Sequence, residues 1–256
     1  MTWLKRNGKG LYSDPEWEAM KAAQRTIPHH EAVRESAYLS DQWRKMWGGG
    51  KSFKIDIRRI IQTLTEKKIP FILTGAQAFG GWTGRPRATK DVDILVKGGR
   101  NQTRAVNAIK ALYPKLEVRD FTGVTAFFVP GEKDSVIDVT YPHRLDLQET
   151  LPHTVWVEDR ALKYRIPSLE AALAITYRAM LTPNRGLAKR QIDVGDFTNM
   201  VTHSLDEGQQ PIDLEKLAAL GDKVWPGGGG EEILRLVELV KAGRSFNIDD
   251  LIKETR

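Results

Sequence analysis

The stretch FILTGAQAFGGWTGRPRATKDVDILV, residues 71–96, decides how the chain is read. It opens on a short apolar run, Phe71 to Leu73, that breaks at Gly75. Small residues (Ala76, Ala78) and a glycine cluster (Gly80, Gly81, Gly84) follow, then a basic loop with Arg85, Arg87 and Lys90. It ends in Asp91-Val-Asp93-Ile-Leu-Val96, where alternation is the informative feature. Successive side chains of a strand point to opposite faces. Val92, Ile94 and Val96 can therefore face a core while Asp91 and Asp93 stand together on the other side. Adjacent carboxylates repel unless something positive lies between them. A hard divalent cation with oxygen ligands resolves the repulsion, magnesium being the usual one and manganese an alternative. A bare pair of acids in a strand is otherwise only a wet face.

Outward from this stretch the pattern is helical before and mixed after. Ile57, Ile60, Ile61 and Leu64 fall at i, i+3, i+4, i+7, predicting a helix from about Phe53 that Pro70 ends. A helix is expected from about Gln102 to Tyr113, with Val106, Ile109 and Leu112 inward. Short strands are expected near Glu117–Asp120, Val124–Val129 and Ser135–Thr140, the last two joined by a Pro130-Gly131 turn. In the third, Asp138 stands alone between Ile137 and Val139. It is either an edge-strand acid facing water or a functional carboxylate.

Order resumes at Val155–Val157 and Lys163–Arg165, and Ser168 then caps a helix through about Leu181. The next helix, about Ala188 to Leu205, buries Val194, Phe197, Val201 and Leu205. Lys189, Asp193 and Asp196 share another of its faces, as site residues or as a salt-bridge ladder. Residues 213–224 and 231–242 read as amphipathic helices, with Gly227 to Gly230 between them as a flexible hinge. The first fifty residues hold Trp3, Trp17, Trp43 and Trp47. Asp14-Pro15 is a helix start. A second helix from about His30 to Trp47 sets Leu39, Trp43, Met46 and Trp47 near one face as packing anchors.

Composition narrows the setting. The chain of 256 residues has no cysteine, which removes disulfide and thiolate chemistry and fits a reducing compartment. No stretch approaches the roughly 20 apolar residues that span a bilayer, and MTWLKRNGKG lacks the apolar centre of a secretory signal. A cytoplasmic protein without a membrane partner is the expectation. The net charge of +6 favours a polyanionic partner. The five histidines show no metal-ligand spacing.

The Gly75 turn, the basic loop and the D-x-D strand together resemble the nucleotidyltransferase superfamily typified by DNA polymerase β. Its members carry a glycine turn after a first strand, a short helix, then a strand with D-h-D, h being apolar. GRPRATKDVDILV, residues 84–96, looks most like the small stand-alone branch that includes AbiEii-like toxins of toxin–antitoxin systems. The match is specific over about residues 55–96, looser to about 200 and absent from the first fifty. The resemblance implies an α+β chain with a small mixed-sheet core over residues 51–166. Helices would flank that core, with a helical N-terminal extension over 1–50 and a helical C-terminal domain over 167–256.

The resemblance also implies a chemistry. A nucleotidyl group would pass from a nucleoside triphosphate to an acceptor hydroxyl, assisted by two magnesium ions. Asp91 and Asp93 would hold both ions, and Asp138, as the superfamily's third carboxylate, would complete one of them. Gly75 and Ala76 would receive the triphosphate on backbone N–H groups, with Arg85, Arg87 and Lys90 steadying it. Lys189, Asp193 and Asp196 match a lysine and an acid found in a comparable helix of AbiEii-like proteins. Many members carry Gly-Gly or Gly-Ser where this chain has Gly75-Ala76, so no side-chain hydroxyl contacts a phosphate there. The implied acceptor is RNA, such as the 3′ end of tRNA, with a cognate antitoxin as partner. AMP-transfer to a protein or a small molecule is the rival within enzymes, and a catalytically silent nucleotide-binding module is the rival outside them.

Overall fold

The alternation at residues 91–96 becomes the centre of a seven-stranded mixed sheet. The computed structural model describes residues 5–6, 9–10, 28–47, 55–86, 88–89, 91–142, 148–149, 151–183, 185–206 and 208–253. The helix expected at Asp14-Pro15 lies outside them, as do Trp3 and Trp17 and the basic-loop residues Arg87 and Lys90. Two short strands, Lys5–Arg6 and Lys9–Gly10, pair antiparallel apart from the main sheet.

The sheet is built from β1 (Phe71–Thr74), β2 (Val92–Val96), β3 (Glu117–Phe121), β4 (Val124–Phe128), β5 (Ser135–Thr140), β6 (Thr154–Asp159) and β7 (Leu162–Pro167). Its spatial order is β3-β4-β5-β2-β1-β7-β6. β2 runs antiparallel to β1 and parallel to β5, and β7 lies parallel to β1. The remaining neighbours are hairpins. Val92, Ile94, Val96, Ile137 and Val139 are all buried, as the alternation predicts for one face. The helices α2 (Ile57–Glu66) and α4 (Gly98–Leu112) pack on the sheet. α2 starts at Asp56, whose side chain accepts from the Arg59 N–H, and it buries Ile57, Ile60, Ile61 and Leu64.

Beyond β7 the chain is helical: α5 (Leu169–Leu181), α6 (Leu187–His203), α7 (Leu214–Val224), α8 (Gly229–Lys241) and α9 (Ile248–Lys253). Ser168 caps α5 as expected, its Oγ accepting from the Ala171 N–H at 3.4 Å. α5 is buried almost all round, and α6, α7 and α9 pack against it. The chain is thus α+β, with its helices gathered at the C-terminal end and on the sheet.

Three expectations are corrected. Gly229 and Gly230 are not a hinge but the first turn of α8, pressed against α7. A Cβ on Gly229 would lie 2.4 Å from the Gly221 carbonyl oxygen, and one on Gly230 would lie 2.6 Å from Asp222 Oδ2. The glycines let two helices touch. α6 ends at His203, so Leu205 falls beyond the helix and is exposed. In the N-terminal helix α1 (His29–Trp47), Ala32, Val33, Ser36 and Ser40 are buried and Leu39 is exposed, while the side chains of Trp43, Met46 and Trp47 lie outside those described. Small residues face inward because α1 comes close to the turn after α3 (Gly75–Phe79): a Cβ on Gly80 would stand 3.2 Å from Ser36 Oγ.

Candidate active site

Register brings the acids together. Asp93 on β2 is the Cα partner of Asp138 on β5, and Thr74, at the end of β1, is the partner of Asp93 on its other side. Asp91 immediately precedes β2 on the same face as Asp93. Carboxylate oxygens of Asp91, Asp93 and Asp138 all lie within 4.8 Å of one another, and all three residues are partly exposed. Gly75 follows Thr74 with φ +67°, the left-handed region that favours glycine. Its bare Cα is also required by space, because a Cβ there would sit 1.9 Å from Asp93 Oδ2. The Gly75 that the sequence marked as a turn is therefore the place where the backbone passes against the site.

The acids lie on the floor of a cleft of about 740 Å³, within the usual range of ligand sites. Thr74, Gly75, Ala76 and Phe79 form one side; Leu95, Val124, Ser135 and Thr140 continue the floor; α5 and α6 supply the far wall. Lys189, Asp193 and Asp196 all line that wall, so the helical face singled out in the sequence does turn toward the acids. Asp193 is held by Arg185, which donates from Nε to Oδ2 at 2.5 Å and from Nη2 to Oδ1 at 3.0 Å. This two-point pairing fixes both partners. Asp196 also lines a side pocket of about 190 Å³ with Ala76, Phe79, Gly80, Thr83, Arg85, Pro86 and Asn199. Arg85 is placed there rather than over the acids.

Burial, with Asp91 and Asp138 alongside, holds the Asp93 carboxyl well above the usual carboxylate range, while Arg185 and Lys189 act against the rise. Asp138 is pushed up to about 6, chiefly by burial and further by Asp91. The Ser135 hydroxyl, which donates to Oδ2 at 3.2 Å, and Lys189 oppose that shift. Its Oδ1 is buried without a hydrogen-bond donor among the described residues, a costly state for a carboxylate oxygen. Clustered like charges and an orphaned acid oxygen are both relieved by a divalent cation with oxygen ligands, so the donor set fits one.

Several residues of the cleft had no sequence signal. Thr89 donates its hydroxyl to Asp91 Oδ1 at 2.7 Å, Ser135 reaches Asp138, and Ile175 and Ile192 make part of the apolar wall. Only the helical spacing of Ile192 with Lys189 and Asp196 could have pointed to one of them. Arg190, next to Lys189 in the chain, is buried elsewhere and donates from Nε to the Met180 carbonyl at 2.5 Å. One step along a helix turns a side chain by about 100°, which carries Arg190 to the end of α5. Asp120 is exposed on β3, apart from the three acids, and accepts from Thr125 Oγ1 at 2.6 Å. Among the described residues the cleft lining is acidic: six aspartates line it against two cations, Arg185 and Lys189.

No protein-family model matches the chain, and no curated protein does. Solved structures to which it is similar include an antigenic nucleotidyltransferase-like protein from Paracoccidioides brasiliensis. That structure has a TM-score of 0.45 and 17% identity, over 74% of this chain and 92% of the other. ANT(2")-Ia in complex with adenylyl-2"-tobramycin follows at TM-score 0.44 and 15% identity, over 73% and 95% of the two chains. JHP933 from Helicobacter pylori gives TM-score 0.41 and 14% identity, over 78% and 91%. At TM-scores below 0.5 the functional reading rests on the site itself. Among the described residues no helix is long and apolar enough to cross a membrane.

Proposed function

We propose that the chain is a metal-dependent nucleotidyltransferase, joining an acceptor hydroxyl to the α-phosphorus of a nucleoside triphosphate with loss of pyrophosphate. The observation that carries this reading is the convergence of Asp91, Asp93 and Asp138 on a cleft floor against the Gly75 turn. Asp91 and Asp93 would hold magnesium, or manganese, and Asp138 would complete the set. A bound divalent ion supplies neutralising charge to the attacking and leaving oxygens and lowers the pKa of a hydroxyl. Asp138 would also take the acceptor's proton. Lys189, facing the acids, offers positive charge to a phosphate. Gly75 and Ala76 let a triphosphate approach on backbone N–H groups alone. Arg85 would steady it from the side pocket, and Arg87 and Lys90 would add positive charge to the same end of the nucleotide. The Arg185–Asp193 pair stiffens the wall, and Asp196 would meet the nucleoside where cleft and side pocket join.

For the acceptor, the whole-chain charge of +6 suits a polyanion such as RNA; the 3′ end of tRNA, in a toxin held by an antitoxin, is the finer form of that reading. A second reading has its own observation. Six aspartates against two cations in the lining suit a small cationic hydroxyl compound better than a phosphate backbone. Incubation with each labelled triphosphate, magnesium, and either total RNA, cell protein or a polyamine-bearing sugar separates these. Transfer should occur to one class only. Asp138→Asn should cut turnover about a hundredfold or more while triphosphate binding persists. Binding without pyrophosphate release with every acceptor would favour a silent nucleotide-binding module instead. If RNA is the acceptor, log K for tRNA should fall linearly with log salt, by roughly 0.7 per phosphate contacted on a single strand. A flat response moves the acceptor to the small cationic class.

A further inference from the structure

Asp91 differs from its two companions in how it is held. Asp93 and Asp138 are members of paired strands, fixed on both sides by the ladder. Asp91 stands one residue before β2, outside the ladder. Its Oδ1 accepts the Thr89 hydroxyl at 2.7 Å. Thr89 in turn donates its backbone N–H to Ser40 Oγ at 2.8 Å. Ser40 lies on α1, fully buried, and donates its own hydroxyl to the Ser36 carbonyl at 2.6 Å. Each hydroxyl is used in a definite sense: Ser40 gives its proton to its own helix and so presents a lone pair to the Thr89 N–H. With its backbone held there, Thr89 aims its proton at one oxygen of Asp91 and leaves the other for the cleft. α1 can come this close because Gly80, opposite Ser36 and Ala32, has no side chain.

We infer that Thr89 and Ser40 are positioning residues for Asp91, and that the N-terminal helix α1 is a working part of the cation site rather than packing alone. The inference rests on reading the three acids as that site. Outer partners of metal-binding carboxylates set their orientation, and losing one typically lowers affinity about 10–100-fold.

The test is titration of the purified full chain with Mn2+, read by loss of the free-ion magnetic resonance signal, alongside thermal melts without metal. Thr89→Val keeps shape and removes the hydroxyl; it should weaken Mn2+ binding by about tenfold or more with the melting temperature nearly unchanged. Thr89→Ser, which restores the hydroxyl, should return affinity to near that of the parent. Ser40→Ala should weaken binding less, and combining it with Thr89→Val should add nothing, since both act through one oxygen. Should Ser40→Ala fail to fold, the two Thr89 variants carry the test. Parent affinity in Thr89→Val, or equal loss in Thr89→Val and Thr89→Ser, overturns the role of the Thr89 hydroxyl. Full additivity of the two substitutions removes Ser40 and α1 from it. If the parent chain binds no Mn2+, or if Asp91→Asn binds it unchanged, the cation-site reading itself has failed and the inference falls with it. Tight parent binding that Asp91→Asn abolishes and Thr89→Val leaves intact sinks the inference alone.

Discussion

Asp93 carries its carboxyl where burial and two like charges oppose ionisation and only Arg185 and Lys189 favour it. A carboxyl whose folded pKa is raised stabilises the fold below its unfolded value and loses that contribution as pH rises through the folded value. For Asp138 this window runs from the ordinary 3.8 up to about 6. At pH 7.5 without metal both acids therefore work against the fold. Asp93→Asn should melt at the parent temperature or above it in chelator. Magnesium should raise the parent's melting temperature and leave the variant's unchanged. A marked drop for Asp93→Asn in chelator would make this a structural aspartate. The three acids were legible because the period of a strand sorts them without knowledge of the partner: Asp91 and Asp93 by alternation, Asp138 as the lone polar residue between Ile137 and Val139. Thr89 and Ser135 were not, since a hydroxyl's role depends on the acid that folding brings beside it. Nor could charge alone tell which way Arg190, beside Lys189, would turn.

α1 shows what spacing conveys about an element and what it does not. Its length was readable from the run ending at Trp47, but the spacing set Leu39 inward, whereas Leu39 is exposed and Ala32, Val33, Ser36 and Ser40 are buried where α1 meets the turn after α3. The glycines of α8 are the same case: they read as a loop in isolation and act as a contact surface once α7 is in place. At the start of α1, His29 stands edge-on to Trp82 at 4.1 Å, and its Nδ1 is buried without a partner among the described residues. Gly81 makes the space, since a Cβ there would lie 1.6 Å from that nitrogen. Burial, with His203 and His30 adding to it, lowers the His29 pKa from 6.5 to about 4. Between those values the unfolded chain binds more protons than the folded one, so this group's contribution to stability falls as pH drops from 6.5 toward 4. Asp138 slopes the opposite way over much of the same range. The difference between parent and His29→Gln isolates the histidine: the parent's advantage, measured by melts from pH 7.5 to pH 4.5, should shrink on acidification. A constant difference would mean that His29 titrates normally in the fold.

Over the whole molecule, the pieces of the cleft are far apart in the chain: Gly75 after β1, Asp91 and Asp93 at β2, Asp138 on β5, and Arg185 to Asp196 beyond the last strand, with Ser40 on α1 behind Thr89. The class of fold could be read without them, because strands and helices declare themselves locally, whereas the order β3-β4-β5-β2-β1-β7-β6 could not, being decided by pairings such as Ile72 with Arg165 across some ninety residues.

The parallel pairing of β2 with β5 bears on how the chain reaches and leaves its native state. Contacts of such long range form late and slowly, after loop closure has been overcome. A cation that needs Asp93 and Asp138 side by side has no site in the unfolded chain and none in a transition state where that pair is still open. Its binding free energy then appears in the barrier to unfolding. In stopped-flow chevrons, magnesium should slow the unfolding arm and leave the folding arm unmoved, and Asp91→Asn should show neither effect. A folding rate that rises with magnesium would instead place the β2–β5 pair in the nucleus, making the cation site one of the first parts of this protein to assemble.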